Sequence, residues 1–190
     1  MSAALQVIPL APFSEVLLLR SRVFGDARGF FLESFRTDHF TQATGLSPAF
    51  VQDNHSRSMC GVLRGIHFQR PPHAQGKLVR VARGSVFDVA VDLRRSSPTF
   101  GRWAGCTLSD TSGEMLWIPP GFGHAFVALE DGTDFLYKTT DFYAPECEGS
   151  VAWDDPEIGI RWPDALAGIT LQLSEKDRAA PRLGDAVVFD

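Results

Sequence analysis

The sequence predicts an all-β sandwich or barrel of the jelly-roll kind with a few short helices. Its apolar segments are short, and several of them alternate with polar residues at a period of two. Its 17 glycines and 12 prolines are scattered along the chain and separate these segments. Helical patterning is sparse, and many short strands between turn signals are typical of sandwiches and barrels. We expect one domain over residues 1–190.

The first half of the chain contains three predicted strands and one predicted helix. Strands are expected at residues 16–24, 30–35 and 77–82, and a short helix is expected at residues 38–43. The third strand is rich in β-branched residues and ends at the turn sequence Arg83-Gly84-Ser85.

The second half continues the strand pattern. Residues 87–93 alternate cleanly between apolar and other residues, and further strands are expected at residues 115–118, 125–129 and 135–140. Asp131-Gly132 is a hairpin signal before the last of these strands.

The C-terminal region ends the domain. Residues 174–179 are predicted as a short helix with Ser174 as its N-cap. Residues 181–190 are predicted to be a peripheral tail.

Composition and charge exclude several functional classes. Hydrophobic residues make up 44% and charged residues 22%, which is ordinary for a globular protein. The net charge is −5 with no dominant basic patch, so we expect no nucleic-acid partner. No apolar run reaches the ~20 residues needed to span a bilayer, and no signal peptide is evident. We expect no membrane association.

The cysteine and histidine patterns argue against metal sites and disulfides. Cys60, Cys106 and Cys147 are widely spaced and form no CxxC pair, which predicts a reducing, cytoplasmic setting. Metal ligands on strands usually come as His-x-His, but His67 is followed by Phe68 and then Gln69. Without a catalytic metal, the chemistry would depend on acid–base side chains.

The segment of residues 62–79 contains the most informative residues. It sets His67 in an apolar run, with Arg64 and Lys77 nearby in sequence. Histidine exchanges a proton near neutral pH. A cation beside it can hold the oxyanion that forms when a C–H next to a ketone loses its proton. The segment therefore suggests enolate chemistry.

One feature of this segment conflicts with a regular strand. Arg64 and His67 differ by three positions, so strict alternation places them on opposite faces. A bulge at Gly65 would bring both to one face. A regular strand here would remove Arg64 from the site.

Long motifs along residues 23–180 resemble one family, the dTDP-4-dehydrorhamnose 3,5-epimerases, which are cupin-type enzymes of deoxysugar biosynthesis. The motifs are FGDARGFFLESF, FVQDNHSRS, VLRGIHFQ, AQGKLVRVARGSVFDVAVDLRRSSPTFGRW, LWIPPGFGHAF, FLYKTTDFY and LSEKD. The resemblance implies a cupin-like jelly-roll barrel, a homodimer, no metal and no organic cofactor. It also implies inversion at C3 and C5 of a dTDP-4-keto-6-deoxyhexose.

The resemblance assigns four catalytic roles. His67 would be the general base and Asp177 the carboxylate that orients it. Lys77 would stabilise the C4 enolate. Tyr137 would reprotonate the sugar from the opposite face, because inversion requires one face to lose a proton and the other to gain one.

The resemblance also assigns substrate contacts. These positions are Arg28, Glu33, Gln52, Asn54, Arg64, His124, Glu148 and Lys176. Arg28 and Glu33 would reach the partner subunit's site. Arg28 and Arg64 suit a diphosphate, because guanidinium groups match phosphate oxygens.

Several alternatives remain open from the sequence. Asp155 competes with Asp177 as the orienting carboxylate, although Asp154-Asp155-Pro156 is typical of a turn. Alternative functions are a mono-epimerase acting at C3 or C5 alone, a non-catalytic sugar-nucleotide binder, and a metal-dependent cupin enzyme.

Overall fold

The computed structural model describes residues 5–190, which form thirteen strands and two α-helices. The strands are β1 Gln6–Pro9, β2 Leu17–Arg20, β3 Val23–Asp26, β4 Gly29–Leu32, β5 Gln52–Ser58, β6 Leu63–Gln69, β7 Lys77–Arg83, β8 Ser85–Asp92, β9 Trp103–Ser109, β10 Glu114–Ile118, β11 Phe122–Ala128, β12 Thr133–Thr139 and β13 Glu148–Ser150. The helices are α1 Thr37–Thr44 and α2 Glu175–Arg178, with short 3₁₀ turns at Pro145–Cys147 and Asp164–Leu166.

Two antiparallel sheets form a jelly-roll-like β sandwich. One sheet has six strands in the order β1-β2-β10-β7-β12-β5, and the other has five in the order β13-β6-β11-β8-β9. Strands β3 and β4 form a separate hairpin. The predicted all-β jelly-roll class is confirmed.

The main core lies between the sheets and follows the period of two. Val86 and Ala90 of β8 belong to this core, together with Val79 of β7. Phe126 of β11 and Phe135 of β12 stack across it with ring centroids 4.1 Å apart. Burial of these side chains on facing sheets is the main force that holds the sandwich together.

A second core covers the outer face of the five-stranded sheet. Phe68 and Val89 from the sheet pack with Leu183 and Phe189 from the C-terminus. The backbone N–H of Phe189 also donates to the carbonyl of Leu93 at 3.2 Å. The prediction of a peripheral tail at residues 181–190 is therefore wrong, because these residues bury apolar surface that the sheet would otherwise expose.

Most predicted elements are present, with shifted boundaries. The strand predicted at residues 16–24 is divided into β2 and β3. Helix α1 includes residues 38–43, and Ser174 caps α2 by accepting from the backbone N–H of Asp177. No helix in residues 5–190 is long and apolar enough to cross a membrane.

Candidate active site

A cavity of about 240 Å³ opens between the two sheets. It is lined by Gln52, Asn54, His67, Phe68, Gln69, Gln75, Lys77, Tyr137, Tyr143 and Glu148. Six of the predicted site residues therefore meet here. They come from β5, β6, β7, β12 and the start of β13, so both sheets contribute.

Strand pairing explains why the residues of the six-stranded sheet face inward. Tyr137 of β12 lies opposite Val79 of β7, which belongs to the core between the sheets. Directly paired residues share a face of the sheet, so Tyr137 faces inward as well. Asn54 is paired with Tyr137, and Lys77 lies two residues before Val79, so both share that face.

A register shift in β6 places Arg64 and His67 on one face. His67 is paired with His124 and Arg64 with Phe126, so two β6 residues stand opposite one β11 residue. Gly65, at the shift, has a φ of 124°, a backbone conformation that glycine adopts readily. The bulge predicted at Gly65 is confirmed, and it resolves the conflict in spacing.

His67, which is partly exposed to the cavity, forms a pair with the buried Asp177. Its Nε2 lies 2.5 Å from Asp177 Oδ1, and the carboxylate side chain is 4% exposed. Ser174 Oγ donates to the other carboxylate oxygen at 2.8 Å. Burial acts to raise the pKa of Asp177, but the hydrogen bonds from His67 and Ser174 outweigh it and lower that pKa. With Nε2–H donating to the carboxylate, Nδ1 is the ring nitrogen with a free lone pair.

Asp155, the competing carboxylate, has a different role. Its Oδ1 accepts from the backbone N–H groups of Glu157 and Ile158, and its Oδ2 accepts from that of Leu183. These bonds fix a turn and attach the C-terminal segment to it. Asp155 is thus a structural residue.

Lys77 is partly buried beside His67. Its Nζ donates to the His67 carbonyl oxygen at 3.4 Å. Burial lowers the pKa of Lys77 to about 8, while the charges of Asp88 and Glu148 act to raise it and that of Lys176 to lower it. A lysine with this pKa is still mostly protonated at neutral pH, so it can stabilise a negative oxygen in the cavity.

Tyr137 projects into the cavity from the sheet opposite His67. Burial raises its pKa, the charge of Arg64 opposes this increase, and the charge of Glu148 adds to it. The phenol is therefore protonated at neutral pH and can donate a proton. Arg64 itself is anchored by a 3.3 Å hydrogen bond from its Nε to Ser58 Oγ.

His124 is buried and is not among the residues that line the cavity. It is 7% exposed, and its Nε2 lies 2.9 Å from an oxygen of the fully buried Asp88. Burial lowers the pKa of His124 and raises that of Asp88. Asp88 was not predicted, although a carboxylate at an inward position of the apolar strand β8 was a usable signal.

The predicted residues Glu148 and Lys176 form an ion pair at the rim of the cavity. The hydroxyl of Tyr143 donates to Glu148 Oε2 at 3.1 Å. Tyr143 and Gln75 were not predicted, because their positions depend on loop conformation. Gln69, at the end of β6, was also not predicted.

Arg28 and Glu33 lie outside this cavity. Arg28 is on the β3–β4 hairpin, pairs with Asp26 at 2.6 Å, and has a side chain that is 89% exposed. Glu33 follows β4, and its Oε1 lies 2.6 Å from His39 Nδ1. Within one chain, the structure does not bring these two residues to the other predicted site residues.

Taken together, the fold and cavity define a jelly-roll protein with acid–base side chains on opposing walls. A carboxylate-oriented imidazole, a buried ammonium group and a protonated phenol line the same space. Across residues 5–190, no three His, Cys, Asp or Glu side chains are grouped so that they could hold a metal ion.

Comparison with known proteins assigns this class to a family. Residues 11–185 match the family described as dTDP-4-dehydrorhamnose 3,5-epimerase. The Pseudomonas aeruginosa dTDP-4-dehydrorhamnose 3,5-epimerase is 55% identical over 175 residues, which cover 92% of this chain and 94% of the relative. The chain belongs to the dTDP-4-dehydrorhamnose 3,5-epimerase family and is thus a member of a family of isomerases.

Solved structures agree in fold. The Legionella pneumophila dTDP-6-deoxy-D-glucose-3,5-epimerase in complex with dTDP-4-keto-L-rhamnose has a TM-score of 0.90 and 46% identity, covering 95% of this chain and 94% of that one. A 3'-monoepimerase from Streptomyces bikiniensis in complex with dTDP-quinovose has a TM-score of 0.85 and 37% identity, covering 93% and 87%.

Proposed function

We propose that this protein inverts C3 and C5 of dTDP-4-dehydro-6-deoxy-D-glucose to give dTDP-4-dehydro-L-rhamnose. The observation that carries the proposal is the position of His67 and Tyr137, which come from different sheets and line one cavity. The names of the family and of its 55% identical relative support the same reaction.

Each inversion begins with loss of a proton. The C4 ketone makes the C–H bonds at C3 and C5 acidic. In our proposal, His67 Nδ1 accepts a proton from one of these carbons, and the electron pair of the C–H bond moves to the C4 oxygen as an enolate. Lys77 stabilises the enolate oxygen, and Asp177 stabilises the imidazolium.

Each inversion ends with protonation of the other face. Tyr137 donates its phenolic proton to the same carbon while the C4 ketone re-forms. The phenolate then regains a proton and His67 loses one to solvent, so no net proton is consumed. Repeating the cycle at the second carbon completes the reaction, with no cofactor in either step.

The test is incubation of the enzyme with dTDP-4-keto-6-deoxyglucose in deuterated water, coupled to a reductase that identifies the product. We expect deuterium at both C3 and C5 of the inverted sugar. Absence of exchange at both carbons would reject the proposal.

A second candidate is a mono-epimerase that acts at C3 or C5 alone. The 37% identical 3'-monoepimerase has nearly the same fold, so fold alone does not separate the two activities. The same assay does separate them, because a mono-epimerase inverts and labels only one carbon.

We also propose a homodimer, with the β3–β4 hairpin of each chain reaching the partner's site. The hairpin exposes Phe24, Phe30 and Phe31 at 46%, 66% and 68%, and this apolar surface is suited to burial in an interface. Arg28 on the same hairpin would then reach the substrate diphosphate. Light scattering should give a dimer mass, and Phe31→Asp should give monomers.

The cellular location is proposed to be the cytoplasm. The three cysteines are free in the structure, and Cys60 and Cys106 are only partly buried. Partly buried free thiols suit a reducing compartment. Fluorescent tagging and fractionation in the source cell would test this location.

A further inference from the structure

Two segments border the mouth of the cavity, residues 70–76 and residues 140–148. The second segment supplies Tyr143 and Glu148 to the lining. Tyr143 is 55% exposed, so core packing does not hold its ring in place. The position of this ring therefore depends on the hydrogen bond from its hydroxyl to Glu148 and on the backbone that carries it.

The side chain of Gln69 holds that backbone on both sides of Tyr143. Its Nε2 donates to the carbonyl oxygen of Phe142 at 3.1 Å, and its Oε1 accepts from the N–H of Ala144 at 2.9 Å. The same Nε2 donates to the carbonyl of His73 at 2.8 Å, in the other segment. One amide thus joins both segments of the rim.

Gln69 is well placed to act as a fixed support. It is 3% exposed and lies two residues after His67 on β6, a strand paired on both sides. Both of its N–H donors are used within the protein, so it has no donor left for a substrate. Gln52 Oε1 accepts from the N–H of Tyr143 itself at 3.0 Å, while Gln75 and His73 reach the second segment at Asp141. Gln69 is the side chain that binds the residues on both sides of Tyr143.

We propose that Gln69 is a positioning residue that sets the place of Tyr143, and through it the binding of the substrate at the cavity mouth. The inference rests on the proposed function, because it assumes that the cavity binds a dTDP-sugar. Gln69 contributes to substrate binding through Tyr143, while the proton transfers remain with His67 and Tyr137.

Gln69→Leu removes all three hydrogen bonds at similar side-chain size and leaves three buried backbone groups without this partner. We expect KM for the dTDP-sugar and Kd for dTDP to rise roughly tenfold or more, with kcat within about threefold of wild type. Gln69→Glu keeps the acceptor for Ala144 and loses the donors, so it provides a second variant if the first does not fold.

A double-mutant cycle with Tyr143→Ala tests the route of the effect. If Gln69 acts through Tyr143, Gln69→Leu adds little to the loss that Tyr143→Ala already causes. Leu108→Ala, a core change in β9, is the control for stability: it should lower Tm while leaving KM unchanged.

The results that would overturn the role of Gln69 differ from those that would reject the proposed reaction. An unchanged KM in folded Gln69 variants, a fall in kcat alone, or fully additive effects with Tyr143→Ala would each overturn the positioning role. Failure of the wild type to exchange deuterium would reject the proposed reaction, whereas the dTDP affinities would still report on Gln69.

Discussion

Asp177 acts on His67 across 110 residues of sequence, and this pair is the best defined contact of the site. The 2.5 Å contact holds the imidazole with Nε2 toward the carboxylate. In the proposed mechanism, this carboxylate stabilises the imidazolium that forms when His67 takes a proton from the sugar. Its replacement should therefore affect catalysis and acid stability together.

Asp177→Asn should lower kcat by about 10²–10⁴-fold, the range for loss of general acid–base function. Because the pKa of Asp177 is lowered in the fold, its stabilising effect is present above the unfolded pKa of about 4 and is lost as pH falls through the folded pKa. The Tm difference from wild type should shrink on acidification. Ser174→Ala, which keeps the carboxylate, is the control and should lower kcat and Tm by less than Asp177→Asn does. Equal losses of kcat and Tm in the two variants would contradict the role of the charge.

Deprotonation of Lys77 should lower the activity of the enzyme at basic pH. Its pKa is lowered to about 8 by burial, and in the proposed mechanism the charged form stabilises the enolate. As pH rises through about 8, kcat/KM should fall. In Lys77→Arg, the fall of kcat/KM should move beyond pH ~10 wherever the variant is active, because arginine stays charged. Lys77→Met should be inactive. A wild-type profile that is flat across this range would contradict the assignment.

At the level of the element, the bulge in β6 decides which of its side chains share a face of the strand. A Cβ on Gly65 would lie 2.5 Å from the Cβ of Ala125, and the residue has a positive φ. The bulge therefore requires glycine for both reasons. Arg64 and His67 depend on it for their common orientation.

Gly65→Ala should destabilise the fold by about 2–4 kcal/mol through overpacking and backbone strain, and it should also reduce activity. Gly29→Ala is a matched control, because Gly29 has a φ of 130° with no heavy atom within 4 Å of its added Cβ. Urea unfolding of both variants measures the difference. Equal losses of stability would show that the close approach to Ala125 is unimportant.

The strands differed in how readily the sequence revealed them. Strands β7, β8, β10, β11 and β12 contribute apolar residues to the core, so their apolar segments were visible in the sequence, and β8 also showed the period of two. β5, with the sequence QDNHSRS, was not predicted because its inward face lines the cavity and its outward face bears charged pairs such as Arg57 with Asp134. A strand that builds a polar site lacks the hydrophobic period by which strands are recognised.

At the level of the whole molecule, the sandwich brings together residues that sequence spacing cannot relate. His67 on the five-stranded sheet and Tyr137 on the six-stranded sheet share a cavity only because the two sheets face each other. The contacts of His67 with Asp177 and of His124 with Asp88 are also tertiary contacts between residues far apart in the sequence. The pair of His67 with Asp177 was expected only from the family resemblance, and the pair of His124 with Asp88 was not predicted. The bulge at Gly65, in contrast, followed from local spacing.

The central claim is that His67 and Tyr137 act on opposite faces of the sugar. The most direct measurement compares wild type, His67→Ala and Tyr137→Phe in deuterated water, following label and configuration at C3 and C5 by NMR. We predict labelled, inverted product from wild type, labelled but uninverted substrate from Tyr137→Phe, and neither label nor product from His67→Ala. Inverted product from Tyr137→Phe at the wild-type rate, or labelling by His67→Ala, would contradict the two-face mechanism.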